Sequence, residues 1–131
     1  MTTAAEVLAL PMSERVKASY ALFESGDVET MLELLAPDVT LTVHGIRGGT
    51  VTASGREAFL ATLGDVEAQL PAASVPIEIA ESPDRVFVIV AVEAGGRRFQ
   101  EIHCLRNDED GRVTELVVVP VDASITQELW P

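Results

Sequence analysis

The sequence has few basic residues, few aromatic residues and a single cysteine. Nine lysines and arginines stand against 21 aspartates and glutamates, which gives a formal net charge of −12. A surface this negative repels phosphate backbones and anionic lipid, so we expect no binding to nucleic acid or to a membrane surface. The acidity is most simply explained as a contribution to solubility. One cysteine, Cys104, excludes an intrachain disulfide.

Long hydrophobic runs and a basic leader are also missing. The longest apolar runs, such as Val86 to Val92, are far too short to cross a bilayer as a helix. The segment from Met1 to Leu10 contains no basic residue and includes Glu6, which argues against a secretory signal. These features predict a soluble cytoplasmic protein.

The 131 residues are 47% hydrophobic, which is enough for one domain with a substantial core. Neither a linker nor an internal repeat divides the chain, and we therefore expect a single domain over residues 1–131. Helix starts are predicted at two capping boxes and one aspartate cap: Thr3-x-x-Glu6, Asp27 and Ser54-x-x-Glu57. Prolines are predicted to end or kink these helices at Pro11, Pro37 and Pro71.

Strand patterns dominate the second half of the chain. Val39 to His44 alternates as a half-buried strand, and residues 50–53 form a short return strand. A four-strand meander is predicted from Val75 to Asp122, followed by a short terminal helix near Ser124. This order predicts an α+β fold: three helices packed on a strongly curved, mixed or antiparallel β-sheet that encloses a cone-shaped pocket. The convex face, through Ile102 and Cys104, is a predicted homodimer surface.

The hairpin from Phe99 to Asp122 carries the most informative polar residues. Alternation of side chains along its first strand separates an inner from an outer set. The inner set is Phe99, Glu101, His103 and Leu105; the outer set is Arg98, Gln100, Ile102, Cys104 and Arg106. Burying ionisable groups costs free energy unless they are paired. An inward Glu101 and His103 therefore indicate a lined pocket.

Three stretches resemble one known group of proteins. They are S-G-D-V-E-T-M-L-E-L-L-A-P-D-V-T-L (25–41), A-S-G-R-E-A-F (53–59) and I-H-C-L-R-N-D-E-D-G-R-V-T-E-L (102–116). Together they resemble the nuclear-transport-factor-2-like superfamily, which includes ketosteroid isomerases, SnoaL-like polyketide cyclases and limonene-epoxide-type hydrolases. The resemblance implies the cone-shaped fold, but it is weak for reaction, because this fold hosts many chemistries and non-enzymes.

The resemblance also implies roles for individual positions. Ketosteroid isomerases use an aspartate base, with a tyrosine and a protonated aspartate at the oxyanion. Tyr20 falls at or beside that tyrosine, and His103 takes the place of the protonated aspartate. The two base positions known in these families correspond here to Val43 and Val118. Asp122 matches a later acidic position.

Each candidate catalytic residue has a structural alternative. His103 is a pocket acid or base, or a core histidine satisfied by Glu101. Glu101 orients His103 or is a rim carboxylate. Tyr20 is an oxyanion donor or a core tyrosine. The remaining two have simpler alternatives: His44, beside Val43, is a strand-end surface residue, and Asp122 caps the terminal helix.

Two functions follow as hypotheses. The first is a small-molecule enzyme that uses His103 and Tyr20 for general acid–base isomerisation, cyclisation or dehydration of a small apolar carbonyl or ring compound. The second is a non-catalytic ligand-binding or dimerisation module, which the valines at the base positions favour. No cofactor is expected. A metal site is not expected either, because no spacing supplies three converging ligands.

Overall fold

The computed structural model describes residues 3–131 and arranges them as helices packed on one face of a sheet. The five helices of these residues are α1 Ala4–Leu8, α2 Met12–Ser25, α3 Val28–Leu34, α4 Arg56–Gln69 and α5 Ala123–Leu129. The six strands are β1 Leu35–Ile46, β2 Gly49–Ser54, β3 Ala72–Glu81, β4 Arg85–Ala94, β5 Arg97–Asn107 and β6 Val113–Pro120. The α+β class is confirmed, with five helices rather than three. No helix in this part of the chain is long and apolar enough to cross a membrane.

The six strands form one mixed sheet in the order β2-β1-β6-β5-β4-β3. Strands β3 to β6 are the predicted antiparallel meander. Strand β1 pairs with β2 through a tight antiparallel connection and with β6 in parallel. The parallel pair joins the two halves of the chain, and it places β5 and β6 in the middle of the sheet.

Two predicted helix boundaries are corrected. Helix α3 ends at Leu34, and β1 begins at once and runs through Pro37. Proline's fixed φ suits an extended chain, and the β1–β6 register shifts between Leu35 and Thr40, so its missing N–H falls in an irregular stretch. The second correction concerns the start of α4, where Ser54 was predicted as the cap. Ser54 instead closes β2, and Gly55, at φ +92°, precedes α4 without a side-chain cap.

Two other caps confirm or refine the prediction. The Thr3 hydroxyl accepts a hydrogen bond from the Glu6 amide at 3.2 Å, as its capping box predicts. The terminal helix is capped by Asp122 rather than by Ser124, because the Asp122 carboxylate accepts from both the amide and the hydroxyl of Ser124. Asp122 therefore starts α5, which is the structural alternative considered for it.

Alternation along the strands separates a buried inner face from an outer face. The inner residues of β4 are completely or almost completely buried: Val86, Val88, Val90 and Val92. They pack with residues of β1, α4 and the C-terminal Trp130 in one hydrophobic core. Apolar side chains on the opposite side remain partly exposed. This outer face comprises Val75, Ile77, Phe87, Ile102 and Val119.

Helix α2 is tied to the β5–β6 hairpin at one end. Arg15 donates through Nη1 to the carbonyl of Gly111 at 3.4 Å and through Nη2 to the carbonyl of Leu10 at 3.1 Å. Nearby, Asn107 donates to the sulfur of Met12 at 3.6 Å. These contacts fix α2 against the hairpin, and so they set the position of Tyr20 relative to β5.

Candidate functional site

A cavity of about 190 Å³ lies between the inner face of the sheet and helices α2 to α4. Its walls are mainly apolar and include Phe23, Phe59 and Trp130. An apolar cavity of about 150 Å³ can hold a benzene molecule, so this volume suits a small ring compound. A second depression, between α2–α3 and α4, shares Phe23, Met31 and Glu67 with the cavity.

Three polar side chains form a hydrogen-bonded chain along one wall of the cavity. The hydroxyl of Tyr20 is hydrogen-bonded to Nδ1 of His103. Nε2 of His103 lies 3.1 Å from Oε1 of Glu101. The side chains of His103 and Glu101 are only 13% and 16% exposed. We refer to Tyr20, His103 and Glu101 as the polar triad.

Strand geometry explains two of the three residues of the triad. Glu101 and His103 are two residues apart on β5 and therefore point to the same side of the sheet. Their backbones are about 7 Å apart at this spacing, and the long Glu101 side chain closes that gap. Tyr20 comes from α2, 83 residues earlier. Its contact depends on how the helix packs, which the sequence spacing could not predict.

The hydrogen-bond directions in the triad follow from its chemistry. An ionised carboxylate can only accept, so Nε2 of His103 carries the proton that bonds to Glu101. A neutral imidazole then has a bare Nδ1, to which the Tyr20 hydroxyl donates. Burial raises the pKa of Tyr20, and the nearby charge of Glu101 raises it further. Tyr20 is therefore held as a neutral phenol.

His103 shares a row of the sheet with the two valines at the expected base positions. Val118 pairs directly with His103 on one side and with Val43 on the other. All three line the cavity, and both valines are buried. Directly opposed residues on neighbouring antiparallel strands have Cβ atoms about 4.5–5.5 Å apart. The imidazole therefore borders the space that a carboxylate at Val118 would reach.

The structure keeps His44 and Asp122 away from the triad. His44 is exposed and bonds through Nδ1 to the Thr50 hydroxyl at 3.1 Å, on the side of β1 opposite Val43. No β-bulge turns it inward, since the irregularity in the β1–β2 register comes after it, between His44 and Ile46. Asp122 is exposed at the start of α5, and hydrogen bonds from the Ser124 side chain and backbone lower its pKa.

Other lining residues were not singled out from the sequence. Trp130 is 4% exposed, and its indole N–H donates to the carbonyl of Val66 at 3.0 Å. It closes one side of the cavity from the C-terminal end of the chain. Glu24 and Glu67 add two carboxylates to the lining. In the sequence, Glu24 and Glu67 stand next to apolar residues of predicted helices. Glutamates on solvent-exposed helix faces show the same pattern, so it does not identify lining residues.

Together, the fold and cavity define a class: α+β domains whose helices and sheet enclose a small apolar pocket with a few buried polar groups. The chain belongs to the SnoaL-like domain family, whose model matches residues 16–116. No curated protein sequence matches the chain.

Solved structures with the same fold include polyketide-cyclase-like proteins at low identity. Bal32a, from a soil-derived mobile gene cassette, is 28% identical with a TM-score of 0.77; the match covers 98% of this chain and 100% of that one. TerC, co-crystallized with polyporic acid, is 26% identical with a TM-score of 0.76, covering 92% and 98%. IdmH from Streptomyces antibioticus, described as a proposed polyketide cyclase, is 22% identical with a TM-score of 0.72, covering 91% and 96%.

Proposed function

We propose that this protein is a cofactor-independent enzyme that isomerises, cyclises or dehydrates a small apolar carbonyl or ring compound in its cavity. The observation that carries the proposal is the polar triad within an apolar wall. Buried ionisable groups that bond to one another in a pocket are the usual material of acid–base catalysis. Co-crystallization of the relative TerC with polyporic acid supports a small-molecule ligand for this chain as well.

His103 is the proposed general acid or base. It is the one imidazole that borders the cavity among the described residues, and its row contains Val43 and Val118, the two positions that the family resemblance aligns with the bases of related enzymes. Glu101 orients the ring, because its carboxylate can only accept a hydrogen bond and therefore faces the N–H of Nε2. Tyr20 contacts both His103 and the cavity, and it is the proposed partner of a substrate oxygen.

The catalytic role is tested with the two histidines of the chain. Steroid-like and polyketide-like compounds are screened by thermal shift, and any hit is assayed for turnover. His103→Gln is expected to lower kcat/KM by about 100- to 10,000-fold, the range for loss of general acid–base catalysis. His44→Gln is the matched control and is expected to keep full turnover, because His44 is exposed outside the cavity. Full turnover by His103→Gln would remove His103 from the mechanism.

A second candidate function is a binding module without chemistry. Val43 and Val118 favour it, since both occupy base positions of related enzymes and both are buried beside His103. On this alternative the triad would recognise a polar group of the ligand and would not move its proton productively. Tight binding of a screened compound with no conversion at any pH would support the module over the enzyme.

Further expectations concern the domain, the location and the partners of the chain. The chain is proposed to act as a single domain over residues 1–131, in the cytoplasm. The outer face, with Phe87, Ile102 and Val119 partly exposed, is proposed to form a homodimer interface. Neither nucleic acid nor a membrane is an expected partner, because the net charge is −12.

A further inference from the structure

The polar side chains around the cavity are three glutamates, which accept hydrogen bonds, and Ser19, Tyr20, Ser74 and His103, which can also donate. Glu101 contributes a mostly buried carboxylate at the wall, whereas Glu67 is half-buried and Glu24 is exposed. No lysine or arginine is found among the described residues that line the cavity. The hydroxyl of Ser19 already donates to the carbonyl of Arg15 at 2.9 Å. A ligand that arrived as an anion would meet negative charge here, whereas a neutral ligand with a hydroxyl donor would find partners.

Tyr20 can also act as a hydrogen-bond acceptor toward a cavity ligand while His103 is neutral. Its proton is directed to Nδ1 of His103, so the lone pairs of its oxygen remain for a cavity ligand. If His103 gains a proton, the arrangement reverses. An imidazolium donates at both nitrogens, to Glu101 and to the Tyr20 oxygen, and the Tyr20 hydroxyl is then free to donate into the cavity. The protonation state of His103 thus decides whether Tyr20 accepts or donates.

We propose that the ligand of this cavity is a neutral, mostly apolar ring compound with an acidic hydroxyl, an enol or a phenol, whose proton passes through Tyr20 to His103. The ligand O–H bond breaks, and its electron pair stays on the ligand oxygen. Tyr20 takes this proton while its own proton moves to Nδ1 of His103. The products are a ligand oxyanion, a neutral Tyr20 that donates to it, and an imidazolium paired with Glu101.

The charges balance, and no other reactant is needed. Before the transfer, the one charge is the negative charge of Glu101. After the transfer, the charges of the oxyanion, the imidazolium and the carboxylate also sum to one negative charge. The pKa of Tyr20, raised by burial and by Glu101, keeps the negative charge on the ligand rather than on the phenol. The inference rests on the proposed function in one respect only: the oxyanion is the electron-rich form from which isomerisation or ring closure would proceed.

The test uses 4-nitrophenol, which is coloured only as its phenolate, and 4-nitroanisole, which lacks the hydroxyl. Binding is measured below the pKa of free 4-nitrophenol, where the unbound probe is colourless. We expect the bound phenol to show the phenolate band without releasing protons to the buffer. We also expect it to bind about 10- to 100-fold more tightly than the anisole, the range for hydrogen bonds that involve a charged group.

Two variants locate the proton. His103→Gln is expected to abolish the phenolate band and to weaken phenol binding by about 10- to 100-fold. Glu101→Gln is expected to reduce the band while the probe still binds, because an amide stabilises an imidazolium less well. Circular dichroism checks that each variant is folded. Cys104→Ser, on the opposite side of β5, is the control and should bind the probe as the unmodified protein does.

Three results would overturn the inference: a bound phenol that stays colourless, equal affinity for the two probes, or no binding of either. A band that survives in both triad variants would do the same. The probe undergoes no isomerisation or ring closure, so its colour reports the proton and not turnover. A phenolate band without turnover of any screened compound would contradict the proposed enzyme alone, and turnover with a colourless bound phenol would contradict this inference alone.

Discussion

The two histidines of this chain show how the neighbours of a residue decide what it can do. His44 and His103 both lie in strands. His44 is exposed and bonds to a threonine hydroxyl. His103 is 13% exposed and lies between a phenol and a carboxylate. Only the second arrangement fixes the tautomer of the ring and supplies both a proton donor and a charge partner.

Tyr20 is the only tyrosine in the chain, so its ionisation can be followed without interference. Its pKa is raised above the ordinary value of 10.0 by burial and by the charge of Glu101. We predict that the ultraviolet signal of tyrosinate stays absent from the folded protein well above this pH and appears when the protein is unfolded. A signal that rises near 10.0 in the folded state would contradict the buried position of the phenol.

The same shift has a consequence for stability. The folded state holds the phenolic proton more tightly than the unfolded state, so the stability from this group is fully present below 10.0 and falls as pH rises above it. Urea unfolding across this range should give a steeper loss of stability for the unmodified protein than for Tyr20→Phe. Equal slopes would show that the Tyr20 phenol makes no contribution.

At the scale of elements, the pattern of residues predicted most of the sheet and two of the three residues of the triad. Alternation on β5 was enough to place Glu101 and His103 on the inner face, because the side-chain period of a strand is two. It could not predict Tyr20 beside them. That contact depends on how α2 packs against the hairpin, including the bond from Arg15 to Gly111. Such long-range packing leaves no local signal in a sequence.

The predicted start of α4 and the predicted end of α3 were wrong for a related reason. Ser54-x-x-Glu57 has the residues of a capping box, but the pairing of β2 with β1 extends through Ser54 and holds it in the strand. The helix start then moves to Gly55. Pro37, predicted to end a helix, lies in β1 where the register with β6 is irregular. Tertiary pairing overrode the local preference at both places.

Two glycines provide a matched pair of stability predictions. Gly64 lies inside α4, where an added Cβ would meet open space. Gly64→Ala is expected to stabilise the protein by about 0.5–1 kcal/mol, because alanine loses less backbone entropy in a helix. Gly45 has φ +78°, and an added Cβ would lie 2.6 Å from Pro120. Gly45→Ala is expected to destabilise by about 1–3 kcal/mol or more. Urea unfolding measures both, and equal effects would contradict the account of these elements.

At the scale of the whole molecule, the apolar outer face is the feature most open to a partner. The helices cover one side of the sheet, whereas Val75, Phe87, Ile102 and Val119 remain between 39% and 57% exposed on the other. Exposed apolar patches on a sheet commonly mark association surfaces. The strong negative charge of the chain would oppose association of two copies unless such a surface offsets the repulsion.

The homodimer proposal predicts a change of mass on substitution at this face. Ile102→Glu, which places a charge among the exposed apolar residues, should convert the dimer to a monomer in light scattering coupled to size exclusion. Val28→Glu is the matched control, since Val28 is also apolar and exposed but lies at the start of α3. A monomer in the unmodified protein, or a dimer that persists in Ile102→Glu, would refute the interface.

The central claim is that one imidazole is held between a phenol and a carboxylate inside the cavity, and nitrogen NMR of the two histidine rings tests it most directly. His44→Gln assigns the two sets of signals. In the free protein, the neutral His103 ring is predicted to carry its proton on Nε2, with a bare, hydrogen-bonded Nδ1, and Tyr20→Phe should shift the Nδ1 signal. A proton on Nδ1, or a ring with the averaged tautomers of an exposed histidine, would contradict the claim.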